Sequence, residues 1–191
     1  MNATPYFTSR RAVVLHRRGD TTQRLSRQLG LLGLEVEVRW APLRSAEAAD
    51  IVLVDADEGW SGLLPWQSGQ SCVPLVALLG SEAPGRIAWA LDQGAHALIA
   101  KPVMPSAIYP ALVMAFRRHA EGKNVTQRIA ELEERIRLRP LVLGAVQVLM
   151  KASGCGEEEA YSQLRREAMR ARLALEQAAA AILTEQRTKA G

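Results

Sequence analysis

The chain has 191 residues, of which 48% are hydrophobic and 23% are charged. This hydrophobic content is enough for a core, and the composition excludes an intrinsically disordered protein. The formal net charge of +4 is mildly basic, and charge alone does not establish a nucleic-acid partner. Two distant cysteines, Cys72 and Cys155, have no metal-ligand spacing, so we expect no metal site, disulfide framework or cofactor. Because no apolar run is long enough for a signal peptide or a membrane span, we expect a cytoplasmic protein without membrane contact.

The first elements alternate between short apolar runs and a helical stretch. Residues 12–15 form an apolar run, and residues 36–40 alternate as a strand does. Between them, residues 20–33 predict a helix with Asp20 as N-cap and Gly33 as its stop. This order predicts a strand, a helix and a second strand.

Three more strands are predicted before residue 105. The run 51–54 ends on Asp55, and the runs 73–79 and 97–99 follow, with a helix over 82–93 between the last two. The rhythm predicts an α/β domain: a doubly wound, parallel five-stranded sheet of the flavodoxin-like type, with helices on both faces. Functional groups of such sheets gather at the carboxyl ends of the strands.

Beyond Pro105 every segment is predicted to be helical, beginning with an amphipathic stretch over 106–120. The next stretch, 125–136, carries a heptad seam with Ile at position a and Leu at d, a combination that favours parallel two-stranded coils. Its seam residues are Val125, Ile129, Leu132 and Ile136. Arg128 and Glu133 fall at g and e, where an interchain ion pair can form. The alternative is an amphipathic helix packed on its own domain.

The tail is predicted to hold three helices, over 141–152, 157–172 and 173–184, with a break at the Gly-Cys-Gly of residues 154–156. We therefore predict three parts. They are a receiver-like domain over 1–120, a coiled-coil linker helix over 121–138 and a small three-helix domain over 139–191.

The first part resembles the receiver family over roughly residues 10–120. Asp55 after the third strand matches the phosphoacceptor, and Lys101-Pro102 after the fifth strand matches the family's Lys-Pro. The resemblance implies an acidic pair after the first strand that helps Asp55 to hold Mg²⁺. It also implies a hydroxyl after the fourth strand and the Lys to contact the phosphoryl group.

Two departures from the receiver pattern remove this chemistry. His16-Arg17-Arg18 stands where the family has the acidic pair, and Leu79 stands where it has the hydroxyl. Only Asp57 and Asp20 are left as metal partners for Asp55, and neither is at the family's position. We therefore interpret Asp55 and Lys101 as a vestigial phosphoacceptor site joined by an ion pair or hydrogen bonds, with Arg17 or Arg18 beside Asp55.

Other chemical motifs are weak. The three histidines, His16, His96 and His119, form no ligand set, and neither a glycine-rich phosphate loop nor a Ser-His-Asp arrangement is present. We expect a protein that is not an enzyme. Trp60 and Trp66 follow the third strand and are equally suited to a protein contact and to covering the core.

The helix over 157–172 has a polar strip suited to RNA. At about 100° per residue, Tyr161, Arg165, Ala168 and Arg172 lie together, beside a core side made of Ala160, Leu164, Ala171 and Leu175. A tyrosine can stack on an unpaired base, arginines can hold phosphates, and a small alanine allows close approach. Arg166 and Arg170 would add longer-range charge contacts. The alternative is a solvated basic face whose tyrosine caps the core edge.

The C-terminal part resembles the ANTAR family of RNA-binding antiterminator modules over about residues 125–184. The resemblance rests on Ala160-Tyr161, Leu164-Arg165 and Ala168-Met169, in order and with fitting spacing. A receiver-like domain before this module is typical of the AmiR type. That resemblance implies a homodimer that binds leader mRNA with paired hairpin loops. It also implies silencing by a periplasmic-binding-protein-like ligand sensor rather than control by phosphorylation.

One residue departs from the ANTAR pattern. Many members have a basic residue directly after the alanine that matches Ala145, whereas this chain has Val146, and Lys151 one turn later is the candidate substitute. Two other functions stay open, namely a protein-only signalling adaptor and a phosphorylation-dependent response regulator.

Overall fold

The computed structural model of the protein describes residues 7–45, 49–81 and 83–190. The described residues fall into two compact units, one up to Lys123 and one from Asn124 onward. Within the described part of the chain, no helix combines the length and the apolar character that crossing a membrane requires.

The first unit is built on a five-stranded sheet in which all paired strands run parallel. The strands are β1 Arg11–Leu15, β2 Glu35–Arg39, β3 Ile51–Asp55, β4 Leu75–Leu79 and β5 Ala97–Ala100. Their order across the sheet is β2-β1-β3-β4-β5. This order confirms the predicted doubly wound, flavodoxin-like sheet.

Two helices and the start of a third pack on this sheet: α1 Asp20–Leu31, α2 Pro84–Asp92 and α3 Pro105–Ser153. Gly19, not Asp20, is the N-cap of α1, and its N–H donates to the Thr22 hydroxyl at 2.9 Å. Gly33 has a φ of 88°, which suits the predicted stop after α1. Of the helix predicted over 82–93, residue 82 lies outside the described residues.

The two faces of the sheet are covered differently. Leu25 and Leu29 of α1 and Ile108 and Leu112 of α3 close one face. The other face is closed by α2 together with apolar side chains from irregular segments, among them Leu43, Leu63 and Leu64. Among the described residues, no helix lies between β2 and β3 or between β3 and β4. On this loop-covered face, the described parts of these connections are irregular and take the place of crossover helices.

The two tryptophans that follow β3 have different environments. Trp66 packs against the core of the loop-covered face, and its indole N–H donates to the Gln93 carbonyl at 3.0 Å. Trp60 is 40% exposed and makes an edge contact with Trp40, with ring centroids 5.1 Å apart. Trp66 thus covers the core, whereas Trp60 is also partly presented to solvent.

Helix α3 joins segments that the sequence pattern predicts as separate helices over 106–120, 125–136 and 141–152. Its end packs with α4 Glu157–Ala171 and α5 Leu175–Ala190 in the second unit. Small side chains at the centre of that core, including Ala145, Ala160 and Ala179, allow the three helices to approach closely. The predicted small helical domain is therefore completed by the last turns of α3.

Candidate functional site

The carboxyl ends of the parallel strands bring a group of charged side chains together. Asp55, the last residue of β3, is only 3% exposed, and Lys101 follows β5 directly. The Lys101 Nζ lies 2.6 Å from the Asp55 Oδ1. A carboxylate that is this deeply buried requires a partner, because an unpaired buried charge is costly. Lys101 supplies that partner.

His16, which follows β1 directly, lies beside Asp55 in place of an arginine. Its Nε2 lies 3.1 Å from the Asp55 Oδ2 without the alignment of a hydrogen bond, and its Nδ1 lies 2.7 Å from the Arg17 carbonyl oxygen. Arg17 points outward and pairs with Glu58 at 2.5 Å, and Arg18 is exposed. The prediction that Arg17 or Arg18 lies beside Asp55 is wrong, because a guanidinium remains hydrated at the exposed position while the smaller imidazole fits inside.

Asp57 makes a second set of contacts at the same strand ends. Its Oδ2 accepts hydrogen bonds from the Gly80 N–H at 2.6 Å and from Lys101 Nζ at 2.9 Å, and its Oδ1 accepts one from the Ser81 N–H at 3.2 Å. Burial raises the pKa of Asp57, but the bonds from Lys101, Gly80 and Ser81 and the Lys101 charge outweigh it, so this pKa lies below its ordinary value. Asp57 is therefore ionised at neutral pH.

The remaining predicted members of this group offer no metal site. Leu79 packs against the core of the loop-covered face and has no hydroxyl, and Asp20 is exposed at the start of α1. Among the described residues, no group of three or more His, Cys, Asp or Glu side chains is placed to hold a metal ion. The arrangement is an ion-paired network in which one lysine serves both Asp55 and Asp57.

The second candidate site is the exposed side of α4. Tyr161 is 44% exposed, and Arg165, Arg166 and Arg170 are exposed with it. Ala168, predicted to lie on this strip, is instead only 4% exposed and packs in the core of the second unit. Ala160, Leu164 and Ala168, spaced four residues apart, form the buried stripe, so Ala168 offers no contact surface.

The end of α4 explains a further difference. Ala171, predicted to face the core, is the exposed last residue of the helix. Arg172 follows in the left-handed conformation with a φ of 54°, so it belongs to the turn and not to the helical strip. Leu175 does pack against the core, but as the first residue of α5.

Among the described residues, the cations predicted to bind RNA have no carboxylate partner. Within the described part of the second unit, none of them makes an ion pair; they are Lys151, Arg165, Arg166, Arg170 and Arg172. Three glutamates begin α4, and its three arginines follow with a single glutamate, Glu167, among them, so positive charge predominates toward its C-terminal end. This part of the surface is therefore available to bind an anionic partner.

A hollow of about 470 Å³ lies beside Tyr161 and was not predicted from the sequence. Its apolar lining comes from Val142, Leu143 and Val146, and the carboxylates at its edge are Glu157 and Glu158. Val146 is 4% exposed and part of the core, so the residue that departs from the ANTAR pattern also forms a wall of this hollow. Only the packing of α3 against α4 brings these residues together.

The middle of α3 is the third candidate, because none of the described residues of the chain covers it. The four seam residues are between 45% and 62% exposed: Val125, Ile129, Leu132 and Ile136. Arg128 and Glu133 on either side of the seam are also exposed. One chain therefore leaves an apolar stripe uncovered, which argues against the alternative in which this stretch packs on its own domain.

Comparison with known proteins matches each of the two units to a known domain family. The sequence matches the ANTAR domain over residues 130–183 and the domain described as AmiR, N-terminal over residues 10–116. It is similar to the aliphatic amidase regulator of Pseudomonas aeruginosa, with 30% identity over 166 residues that cover 84% of each chain. The transcriptional regulatory protein PdtaR of Mycobacterium tuberculosis is 31% identical over 110 residues, 58% of this chain and 54% of that one.

A structural relative supports the fold of the first unit. The signal receiver domain of an HD domain-containing protein from Pseudomonas fluorescens superposes with a TM-score of 0.50 at 16% identity, covering 65% of this chain and 98% of that one. The two matched domains follow each other in the order predicted from the sequence, and together they extend over most of the chain. The chain belongs to the ANTAR-domain antitermination regulators of the AmiR type.

Proposed function

We propose that the protein binds leader mRNA with paired hairpin loops as a homodimer and so prevents transcription termination. We further propose that it acts in the cytoplasm and is silenced by a periplasmic-binding-protein-like ligand sensor rather than switched by phosphorylation. The observation that carries the proposal is the unpaired basic face of α4 with Tyr161 and its hollow at one edge.

The RNA face is proposed to use stacking and charge together. The half-exposed ring of Tyr161 borders an apolar hollow, where an unpaired loop base would lose water and stack on the ring. Arg165, one helical turn further, is placed to hold the phosphate that follows. The other cations of this region would contribute charge at longer range; they are Lys151, Arg166, Arg170 and Arg172. Ala168 supports this face from the core.

The homodimer is proposed to form along the middle of α3. Residues 121–137 are all exposed in the single chain, a span of about 25 Å at 1.5 Å per residue. A second copy in parallel register would cover the stripe and bring Arg128 near Glu133 of the opposite helix, the g-to-e spacing of parallel coils. The short seam would then be closed by the same residues on both chains.

Control by a sensor protein is supported by the strand-end group of the first unit. Asp55 is buried and paired with Lys101, and the residue beside it after β1 is His16, where receivers have their acidic pair. These features disfavour metal-dependent transfer of a phosphoryl group to Asp55. Incubation with acetyl phosphate and Mg²⁺ should leave Asp55 unlabelled, and labelling of this residue would restore the phosphorylated response regulator as the better interpretation.

The RNA proposal is tested by hairpin binding to Tyr161→Ala and Arg165→Ala. Loss of one stacked base should weaken binding roughly 5- to 150-fold, which corresponds to about 1–3 kcal/mol. Loss of one phosphate contact should weaken binding to every sequence and reduce the salt slope by roughly 0.7–0.9. Arg24→Ala removes the same charge from an exposed position of α1 and is the matched control.

The outcomes separate the alternatives. Unchanged hairpin affinity in both α4 variants would place the RNA face elsewhere. No hairpin binding by the unaltered protein, together with formation of a complex with the sensor, would favour the protein-only adaptor. The leader of the controlled operon is the RNA to use, and two adjacent hairpin loops in that leader are the expected target.

A further inference from the structure

Strand β2 forms an open outer edge of the sheet in the described part of the chain. It stands last in the strand order and pairs with β1 alone. Glu35 donates its N–H to the Arg10 carbonyl at 2.8 Å, so the backbone groups of Glu35 face β1. Because successive residues of a strand direct their backbone groups to opposite sides, those of Val36 and Val38 point away from β1. Two N–H donors and two carbonyl acceptors therefore lie along this edge.

A cleft of about 430 Å³ lies between the same edge and α1. The valine side chains of β2 form an apolar wall, and α1 together with the turn before it supplies polar groups. The lining residues include Arg18, Thr22, Gln23, Ser26, Val36 and Val38. The Ser26 Oγ is buried and has no hydrogen-bond partner among the described residues. Since an unpaired buried hydroxyl is costly, a ligand that bonds to Ser26 would be stabilised.

The charge of the cleft indicates which ligand fits. Arg18 is the charged residue of its lining, and it makes no ion pair with any described residue. Arg18 comes after β1, so it lies toward the carboxyl ends of β1 and β2, on the side of Val38. Helix α1 runs back along the sheet, which places Ser26 toward the other end of the cleft. The cleft therefore offers a cation at one end and a hydroxyl at the other.

We propose that the β2 edge binds an extended segment of another protein, which adds a sixth strand to the sheet and places an acidic side chain against Arg18. Added strands of this kind bind through their backbone, and the side chains at alternate positions give specificity. Side chains two residues apart point to the same face, so a second polar side chain at that spacing can bond to the Ser26 hydroxyl. This inference concerns the first unit alone and does not depend on RNA binding.

A second copy of β2 is a poorer occupant of the edge. Its side chains on the cleft side would be Val36 and Val38, which pack against the same core as α1 does. Valine has no polar group, so Arg18 and Ser26 would remain unpaired beside it. The polar lining therefore favours a segment of different sequence.

The test is titration of the full chain with an end-blocked peptide, Lys-Thr-Val-Glu-Val-Thr-Lys, followed through the backbone amide resonances of Val36 and Val38. This peptide turns its glutamate and both threonines to one face in either strand direction. The two resonances should shift and saturate. The matched control peptide, with lysine in place of the glutamate, should cause no saturable shift. Absence of a response to the acidic peptide, or an equal response to both peptides, would overturn the proposal.

Variants of the chain test the cleft itself. Arg18→Ala and Ser26→Ala should each weaken binding of the acidic peptide about fivefold. Ser26→Ala should not lower the melting temperature of the free chain, because its hydroxyl has no partner there. The matched control is Arg24→Ala, which removes the same charge from an exposed position of α1 outside the cleft lining. Unchanged affinity in both cleft variants, or an equal loss in the control, would contradict the assignment.

Hydrogen exchange in the unaltered chain needs no variant. The amides of Val36 and Val38 should exchange faster than that of Glu37, whose N–H faces β1, and the acidic peptide should slow them. Equally slow exchange of all three amides in the free chain would overturn the proposal, since the edge would already be covered. So would protection of Val36 and Val38 that rises with the concentration of the chain alone, because a second copy would then occupy the edge.

Discussion

Replacing both Ile129 and Ile136 with alanine removes the two a-position side chains from the exposed stripe of α3. Burial of a whole isoleucine side chain contributes about 1.5–3 kcal/mol. Because these two are 50% and 62% exposed in the single chain, roughly half of that value, about 1 kcal/mol each, remains to be gained on dimerisation. A dimer contains four such side chains, so the double variant should lose about 4 kcal/mol, close to a 1000-fold weaker dimer.

Sedimentation velocity over a range of concentrations measures the dimer dissociation constant directly. Alanine favours helix more than isoleucine does, so α3 itself should remain helical in the circular dichroism spectrum. The matched control replaces Gln127 and Glu134, at the f positions on the opposite side of the helix, with alanine. The control should leave the dissociation constant within a few-fold of the unaltered value, since exposed charge pairs contribute little.

A change of less than about tenfold in the seam variant would refute this reasoning, because the stripe would then contribute too little to hold two chains together. An equal loss in the f-position control would also refute it, since the effect would come from the helix and not from its apolar side. If the dimer forms only when RNA is present, the apolar seam can still be the dimer interface, but RNA is then required for dimerisation.

Three further substitutions test the packing of each unit. Leu164→Ala empties a fully buried position in the second unit and should lower its free energy of unfolding by about 2–5 kcal/mol, measured by urea denaturation. Gly59→Ala would place a Cβ in steric clash with the Trp89 ring, so the melting temperature of the first unit should fall. An unchanged melting temperature would mean that the ring can move aside. Burial, together with the charges of His119 and Arg118, lowers the pKa of His96 from 6.5 to about 4. As the pH falls, His96 is protonated in the unfolded chain before it is protonated in the folded one. Its contribution to the free energy of unfolding is therefore fully present above pH 6.5 and is lost as the pH falls toward 4. Between pH 7 and 5 the loss should be roughly 1 kcal/mol after allowance for partial exposure, and His96→Gln should lack it.

The sheet was predictable because its three central strands, β1, β3 and β4, are buried on both faces. Residues 51–54 form a continuous apolar run, and each of them is fully buried in the structure. The residues at the strand ends could also be identified, since each follows directly on such a run. Their partners could not, because a partner depends on the path of the next loop. The loop after β3 directs Asp57 to the amide of Gly80, and no spacing in the sequence encodes that contact.

The exposed side of α4 could likewise be predicted only in part from the sequence. A rotation of 100° per residue puts Ala168 within one strip of Tyr161, yet a small side chain near the edge of the buried stripe is covered as soon as a neighbouring helix comes close. The hollow beside Tyr161 arises from the contact between α3 and α4, and the periodicity of one helix does not show how the next helix packs against it. Periodicity in the sequence identifies which side of a helix is buried, and only the packing of neighbouring helices determines how wide that buried side is.

The loop-covered face of the first unit also determines how the protein can be observed. All four tryptophans of the chain belong to this unit, at positions 40, 60, 66 and 89, and the second unit has none. Intrinsic tryptophan fluorescence therefore reports on the first unit alone, while the helical circular dichroism signal draws on both. If the two signals change at different denaturant concentrations, the units unfold separately, and a single free energy does not describe the chain.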